Sequence, residues 1–229
     1  MICYAKGPRP ARLTALTTTP RMTWAGLGAE DRDPIRAALV RDQGGLCAYC
    51  QRRIVTDEDR TTGLSQMKIE HWLPRSDSAD HHLTWSNLLG VCLGVSRESA
   101  DAPAGRSTHH CDTSRGDHAL FLHPVQGQGP DPRDHLRYTK RGVVEAAKPN
   151  ARVVADIGAL NLNALRLVRA REAVFDAVWQ RLHQAAFATS ELRKIAHAHR
   201  IVAGTTTPEH AEFVRYHVLK KLRSRGETE

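Results

Sequence analysis

An α+β protein is what this sequence predicts, on three observations: two short apolar runs with strand character (Met67–Ile69 and Asn87–Val91), cysteines spaced around them, and apolar residues at helical spacing through the last third. With 229 residues, 41% of them hydrophobic, the chain is long enough to close a core of its own. The balance of 33 Lys plus Arg against 25 Asp plus Glu gives a formal net charge of +8, which favours a polyanionic partner such as nucleic acid or an acidic protein surface. No stretch approaches the ~20 apolar residues that cross a bilayer, and Met1 to Pro10 lacks the apolar run of an export signal. The expectation is a cytoplasmic protein with no membrane contact. Its five cysteines would then stay reduced, so they read as metal ligands or catalytic groups rather than disulfides.

Three segments follow in order. Residues 1–45 are an N-terminal arm and a helix: Cys3 to Trp24 shows no period, Asp33-Pro34 is a good helix start, Leu39 and Val40 give an apolar side, and Gly44-Gly45 stop the helix. Residues 46–146 hold the unusual chemistry, with a turn-rich loop from Ser96 to Thr108 and a closing hairpin from His135 to Ala146 that turns near Arg141-Gly142. Residues 147–229 are a helical region. Asn163 can cap a helix carrying Leu165, Val168, Phe175, Val178 and Leu182 on one face; Ser190 and Thr207-Pro208 open two more, and the charged tail from Lys220 frays.

Cys47 and Cys50 in the sequence Cys-Ala-Tyr-Cys place two thiolates on one tight turn, half of a tetrahedral zinc site. Cys92 and Cys111 complete it as a closed, structural site. The residues leave alternatives open: Cys92 as a buried hydrophobe, or His109 or His110 in place of a cysteine. Cys3 stands apart with no assigned role.

Between the halves of the cluster lies Met67-Lys68-Ile69-Glu70-His71-Trp72-Leu73-Pro74, a strand ending in a carboxylate and an imidazole. Phosphodiester hydrolysis needs a water, a base to take its proton, and a cation at the departing oxygen. His71 titrates near neutrality and suits the base, and Glu70 suits the cation. Asn87 opens the second run, where its amide can bond backbone across the intervening loop and fix the histidine. Asp112, joined to Cys111, would begin a short helix with Arg115 one turn on and face the same centre. Hard oxygen ligands point to Mg²⁺ or Mn²⁺ as the catalytic ion. Arg52, Arg53, Arg75 and Arg97 surround the motif and can line a phosphate path.

Cys-Ala-Tyr-Cys, then Ile-Glu-His-Trp-Leu-Pro, then a strand opening Asn-Leu-Leu, then His-Cys-Asp resembles the HNH endonucleases. More narrowly, AKGPRPARL, GGLCAYC, HCDTSRGD and LNLNALRLVR resemble the HNH proteins of Septu-type and retron-associated anti-phage defence. The resemblance implies a ββα-metal core stapled by zinc on Cys47, Cys50, Cys92 and Cys111. It makes His71 the general base, Asn87 the orienting asparagine, and Glu70 and Asp112 the ligands of Mg²⁺ or Mn²⁺. Arg115, where a lysine is usual, would hold a phosphate of the nucleic acid together with Arg75. The implied substrate is DNA rather than RNA. The implied partners are an ABC- or SMC-like ATPase and, in retron versions, a reverse transcriptase with its DNA product, with the helical third as the docking region. No GxxxxGK[ST] sequence is present, so nucleotide-driven control would come from another chain. Two rivals are a zinc-ribbon module that binds nucleic acid without chemistry, and an interaction subunit whose nuclease is silent until a partner engages.

Overall fold

The computed structural model describes residues 1–18, 22–56, 67–77, 81–94 and 108–229; nearly all of the Ser96–Thr108 loop, and Arg97 within it, lie outside those residues. Helices α1 (Ala11–Thr18) and α2 (Ala29–Asp42) flank a single 3₁₀ turn at Trp24–Gly26. Strand β1 (Met67–His71) pairs antiparallel with β2 (Leu88–Cys92), in a register that sets Glu70 opposite Leu89 and His71 opposite Leu88. Then come the short helices α3 (Asp112–Arg115) and α4 (Pro132–His135) and a second antiparallel pair, β3 (Leu136–Tyr138) with β4 (Val144–Ala146). Four helices complete the chain: α5 (Ala151–Ala159), α6 (Leu165–Gln184), α7 (Thr189–Ala198) and α8 (Ala211–Arg223). Among the described residues no helix is long and apolar enough to cross a membrane.

Several boundaries differ from the sequence expectation for identifiable reasons. Helix α2 starts at Ala29, five residues before Pro34, because Asp31 accepts a hydrogen bond from the Gly28 N–H at 3.1 Å and caps the helix there. Pro34 therefore lies inside the helix, where its missing N–H leaves the Glu30 carbonyl without an i+4 donor. The stretch taken as an unpatterned arm contains α1, which Arg12 ties to α2 through Asp31. Asn163 caps nothing: its amide receives the Val144 N–H at 2.8 Å and donates to the Val144 carbonyl at 2.9 Å, holding β4 against the start of α6. Helix α8 begins after Thr207-Pro208, which lie in the turn before it.

Every residue of β2 is buried, and Gln43 at the end of α2 closes its exposed hydrogen-bonding edge. Gln43 Oε1 receives the Gly90 N–H at 2.7 Å and its Nε2 donates to the Gly90 carbonyl at 2.8 Å. A Cβ at residue 90 would stand 3.0 Å from Ile54 and 3.2 Å from the Gln43 amide, so both neighbours would have to give by a few tenths of an ångström. One hydrophobic cluster draws on all three sequence segments, from Leu13 and Ile35 through Leu89 and Leu122 to Phe213 and Leu222. The helical region also grips the cysteine turn directly: Gln51 Oε1 receives the Glu212 N–H at 2.8 Å, and the Gln51 carbonyl receives the His210 N–H at 3.0 Å.

Candidate active site and metal centre

The first cysteine pair sits on a turn closed by the Gln51 N–H bonding the Cys47 carbonyl at 3.1 Å, and it is anchored to β2 by the Ala48 N–H on the Gly90 carbonyl at 3.0 Å. Cys92 ends β2. Gly94, with φ +66°, then lets the chain run so close to His110 that any side chain there would collide with the His110 carbonyl. That approach brings Cys111 back to the cluster. Cys111 itself adopts φ 57° and ψ −139°, a conformation unfavourable for a non-glycine residue, in which its N–H bonds the Leu160 carbonyl at 2.9 Å.

All four sulfurs are buried and lie within 4.8 Å of one another, with Cys47–Cys111 at 3.9 Å and Cys50–Cys92 at 3.6 Å. Tetrahedral zinc with bonds of ~2.3 Å requires sulfurs ~3.8 Å apart, so these two pairs stand at the spacing of a structural zinc and the four cysteines together fit one. Burial also pushes the Cys50 and Cys111 thiols well up, so thiolates there call for a cation among them. His110 is not in the tetrahedral set: its Nδ1 lies 3.2 Å from the Cys111 sulfur, beside a ligand atom. Cys3 is far from the cluster in function; its thiol donates to Asp131 at 3.2 Å and, chiefly through burial, is pushed up to about 12.

His71 ends β1 almost fully buried. Its Nε2 lies 3.0 Å from the His82 carbonyl, an acceptor only, so Nε2 carries the proton and Nδ1 keeps its lone pair. Burial holds the imidazole at about 4, hence neutral near pH 7. Trp24 covers it edge to face with ring centroids 4.5 Å apart. Asn87 spans the loop that follows: Oδ1 receives the Leu73 N–H at 2.6 Å, Nδ2 donates to the His81 carbonyl at 3.0 Å, and the Asn87 carbonyl receives the Trp72 N–H at 2.9 Å. The carbonyl that fixes the His71 tautomer belongs to the loop held this way.

Glu70 and Asp112 face each other, Glu70 from β1 and Asp112 from the first turn of α3. Burial, followed by the nearby Asp112 charge, lifts Glu70 to about 8. The Arg115 guanidinium on Glu70 opposes this without cancelling it. Two carboxylates that cannot comfortably both ionise form a donor pair suited to a hard divalent cation, which would reverse the direction of that shift. Lys68 Nζ reaches the outer oxygen of Asp112 at 3.1 Å and the Thr113 hydroxyl at 2.9 Å.

Arg115 departs from its expected place on the nucleic acid. Its side chain is 1% exposed. Nε donates to the His118 carbonyl at 2.8 Å, Nη1 to Tyr49 at 3.2 Å, to Glu70 and to the His71 carbonyl at 3.1 Å, and Nη2 to the Trp72 carbonyl at 2.5 Å. It is a clamp joining α3 to the end of β1, with its donors turned inward where no phosphate can reach. Arg53 likewise points away, toward the Thr207 and Gly44 carbonyls. Arg75 is exposed and lines two clefts that meet at Glu70, His71 and Asp112. One, of about 390 Å³, is walled by Trp24, Arg32, Arg36 and Lys68; the other, of about 360 Å³, runs past Ser76 and Asp117. Sequence reasoning gave Trp24, Arg32, Arg36 and Lys68 no role, and only the i,i+4 spacing of the two arginines was there to be noticed.

No family model matches the chain. Over 85 residues it is 38% identical to a protein of Escherichia coli described as "Retron Ec83 putative HNH endonuclease", an alignment that covers 34% of this chain and 30% of that relative. The chain therefore spans less than a third of the relative it matches, and the likeness supports a nuclease of the HNH endonuclease family.

Proposed function

We propose that this chain is a metal-dependent HNH endonuclease with a ββα-metal core built from β1, β2 and α3, and that it hydrolyses phosphodiester bonds, with DNA as the substrate. The observation that carries the reading is a buried histidine whose Nε2 is spent on a backbone carbonyl and which lines the same two clefts as the facing carboxylates Glu70 and Asp112. His71 Nδ1 takes a proton from a water molecule, which attacks phosphorus in line; the P–O3′ bond breaks, the departing O3′ takes a proton from solvent water, and His71 returns its own to solvent, leaving a 5′-phosphate and a 3′-hydroxyl. Asn87 keeps the loop carrying the His82 carbonyl in place, and Trp24 excludes bulk water from one face of the imidazole. Glu70 and Asp112 would hold Mg²⁺ or Mn²⁺, which supplies charge stabilisation at the scissile phosphate and the leaving oxygen. Arg75 meets the nucleic acid from the junction of the two clefts. The four-cysteine zinc acts at a distance, holding Asp112 toward His71 through Cys111.

The retron setting named for the relative favours a role as the effector nuclease of an anti-phage system. In that reading an ABC- or SMC-like ATPase governs cutting, a reverse transcriptase supplies DNA in retron versions, and the outer faces of the C-terminal helices are where such partners dock. The test is cleavage of DNA and RNA by the zinc-loaded protein with Mg²⁺ or Mn²⁺, followed by mapping of the ends. His71→Ala is expected to abolish cutting while keeping zinc and nucleic-acid binding. Undiminished cutting by that variant refutes the assigned base.

A further inference from the structure

The larger cleft has a wall that belongs to neither strand pair nor to α3. Arg32 and Arg36 of α2 stand on it one helical turn apart, above Trp24. Their i,i+4 spacing puts both on one side of the helix, next to the buried stripe of Ile35 and Leu39 that seats α2 on the core. Four cations line the cleft (Arg32, Arg36, Lys68 and Arg75) against the two carboxylates Glu70 and Asp112. A divalent cation on those carboxylates would raise the positive excess further. Each arginine is oriented: Arg36 pairs with the exposed Asp33 at 2.7 Å, and Arg32 donates to the Trp24 carbonyl at 3.3 Å with its guanidinium 5.5 Å from the Trp24 ring. The same indole packs on His71, so the arm joins this wall to the base. Four residues of α-helix rise ~6 Å, which is comparable to the spacing of successive phosphates along one strand.

Resting on the nuclease reading above, we infer that Arg32 and Arg36 form a phosphate-binding wall that holds the strand beside the scissile bond through two backbone phosphates. The contact is to backbone, so it adds affinity without sequence preference. The bland alternative, that both arginines only solvate α2, predicts no change in nucleic-acid binding when their charge is removed.

The experiment uses the full-length His71→Ala protein, loaded with zinc and unable to cut, with labelled single-stranded and duplex DNA and an RNA of the same sequence, read by anisotropy across salt. Arg32→Gln and Arg36→Gln are each expected to flatten the salt dependence by about one phosphate, or roughly threefold in affinity change between about 50 and 200 mM salt, alike on every sequence. Asp33→Asn, which removes the exposed carboxylate paired with Arg36 at 2.7 Å, is expected to tighten binding. Arg137→Gln on the distant β3–β4 hairpin should change nothing. Salt-dependent binding by the His71→Ala parent with an unaltered slope in Arg36→Gln and Asp33→Asn overturns the wall while sparing the nuclease reading. Absence of any binding by the parent overturns both.

Discussion

Arg115→Ala separates two jobs for the same residue. The guanidinium is 1% exposed at the side chain and its partner Glu70 11%, so the substitution removes one member of a buried ion pair and strands three backbone carbonyls, those of His71, Trp72 and His118. Deleting one partner of a buried pair typically costs about 3–5 kcal/mol, a large part of a domain's total stability. Unfolding entropy near ~2.1 cal/mol/K per residue amounts to roughly 0.5 kcal/mol/K for a chain of this length, so the melting temperature should fall by about 6–10 °C. The assay is thermal unfolding of the zinc-loaded protein, paired with the salt dependence of DNA binding. A clamp predicts a lower melting temperature and an unchanged salt slope. A melting temperature within about 2 °C of the parent, together with a slope reduced by about one, would return Arg115 to the phosphate path and refute the inward clamp.

Cys111→Ser should lose the tightly held zinc, near one per chain by elemental analysis in the parent, and unfold the centre as well, because binding energy in such a site is folding energy; a folded, zinc-bearing variant contradicts the cluster. Asn87→Ala removes the three side-chain bonds across the loop, to the Leu73 N–H and to the Leu73 and His81 carbonyls, and should lower kcat far more than it raises KM while zinc content holds; equal loss in both parameters argues against a positioning role. For pH, burial holds His123 at about 4, His210 at about 3 and His217 at about 4, all below the ordinary value of about 6.5. Stability from these neutral rings is therefore complete above pH ~6.5 and lost as pH falls through the folded values, since the unfolded chain binds the extra protons. Urea midpoints should drop between pH ~6.5 and ~4, and His217→Phe, set among Phe175, Trp179, Phe213 and Tyr216, should have a shallower drop than the parent; parallel profiles would exclude His217 as a contributor.

What was legible in the chain itself is local chemistry. A Cys-x-x-Cys turn, a strand ending Glu-His, an asparagine opening the next strand and a Cys-Asp step into a helix can be read because each depends on residues within a few positions of one another. The Arg141-Gly142 turn between β3 and β4 was readable for the same reason, but the apolar period of α6 only in part: Phe175 and Leu182 are buried as expected, whereas Leu165 is exposed and the buried face begins with Leu167 and Arg171. Helix starts were less so: the Asp31 cap of α2 and the displaced role of Asn163 depend on which backbone groups were left unpaired, and Asn163 was claimed by β4, nineteen residues away.

Packing decided the rest. Arginine is long enough to serve as a surface ligand or a buried clamp, and only the convergence of β1, Tyr49 and α3 shows that Arg115 is enclosed by its acceptors. Which imidazole nitrogen of His71 is free follows from a carbonyl eleven residues further on. Trp24 and Arg32 carry no motif; they join the site because α1 and α2 fold the arm across β1. Composition and spacing specify the groups able to bind metal or move a proton, since that capacity resides in each side chain. Their tautomer, charge and exposure depend on neighbours distant in the chain, and those neighbours are set only when the core closes.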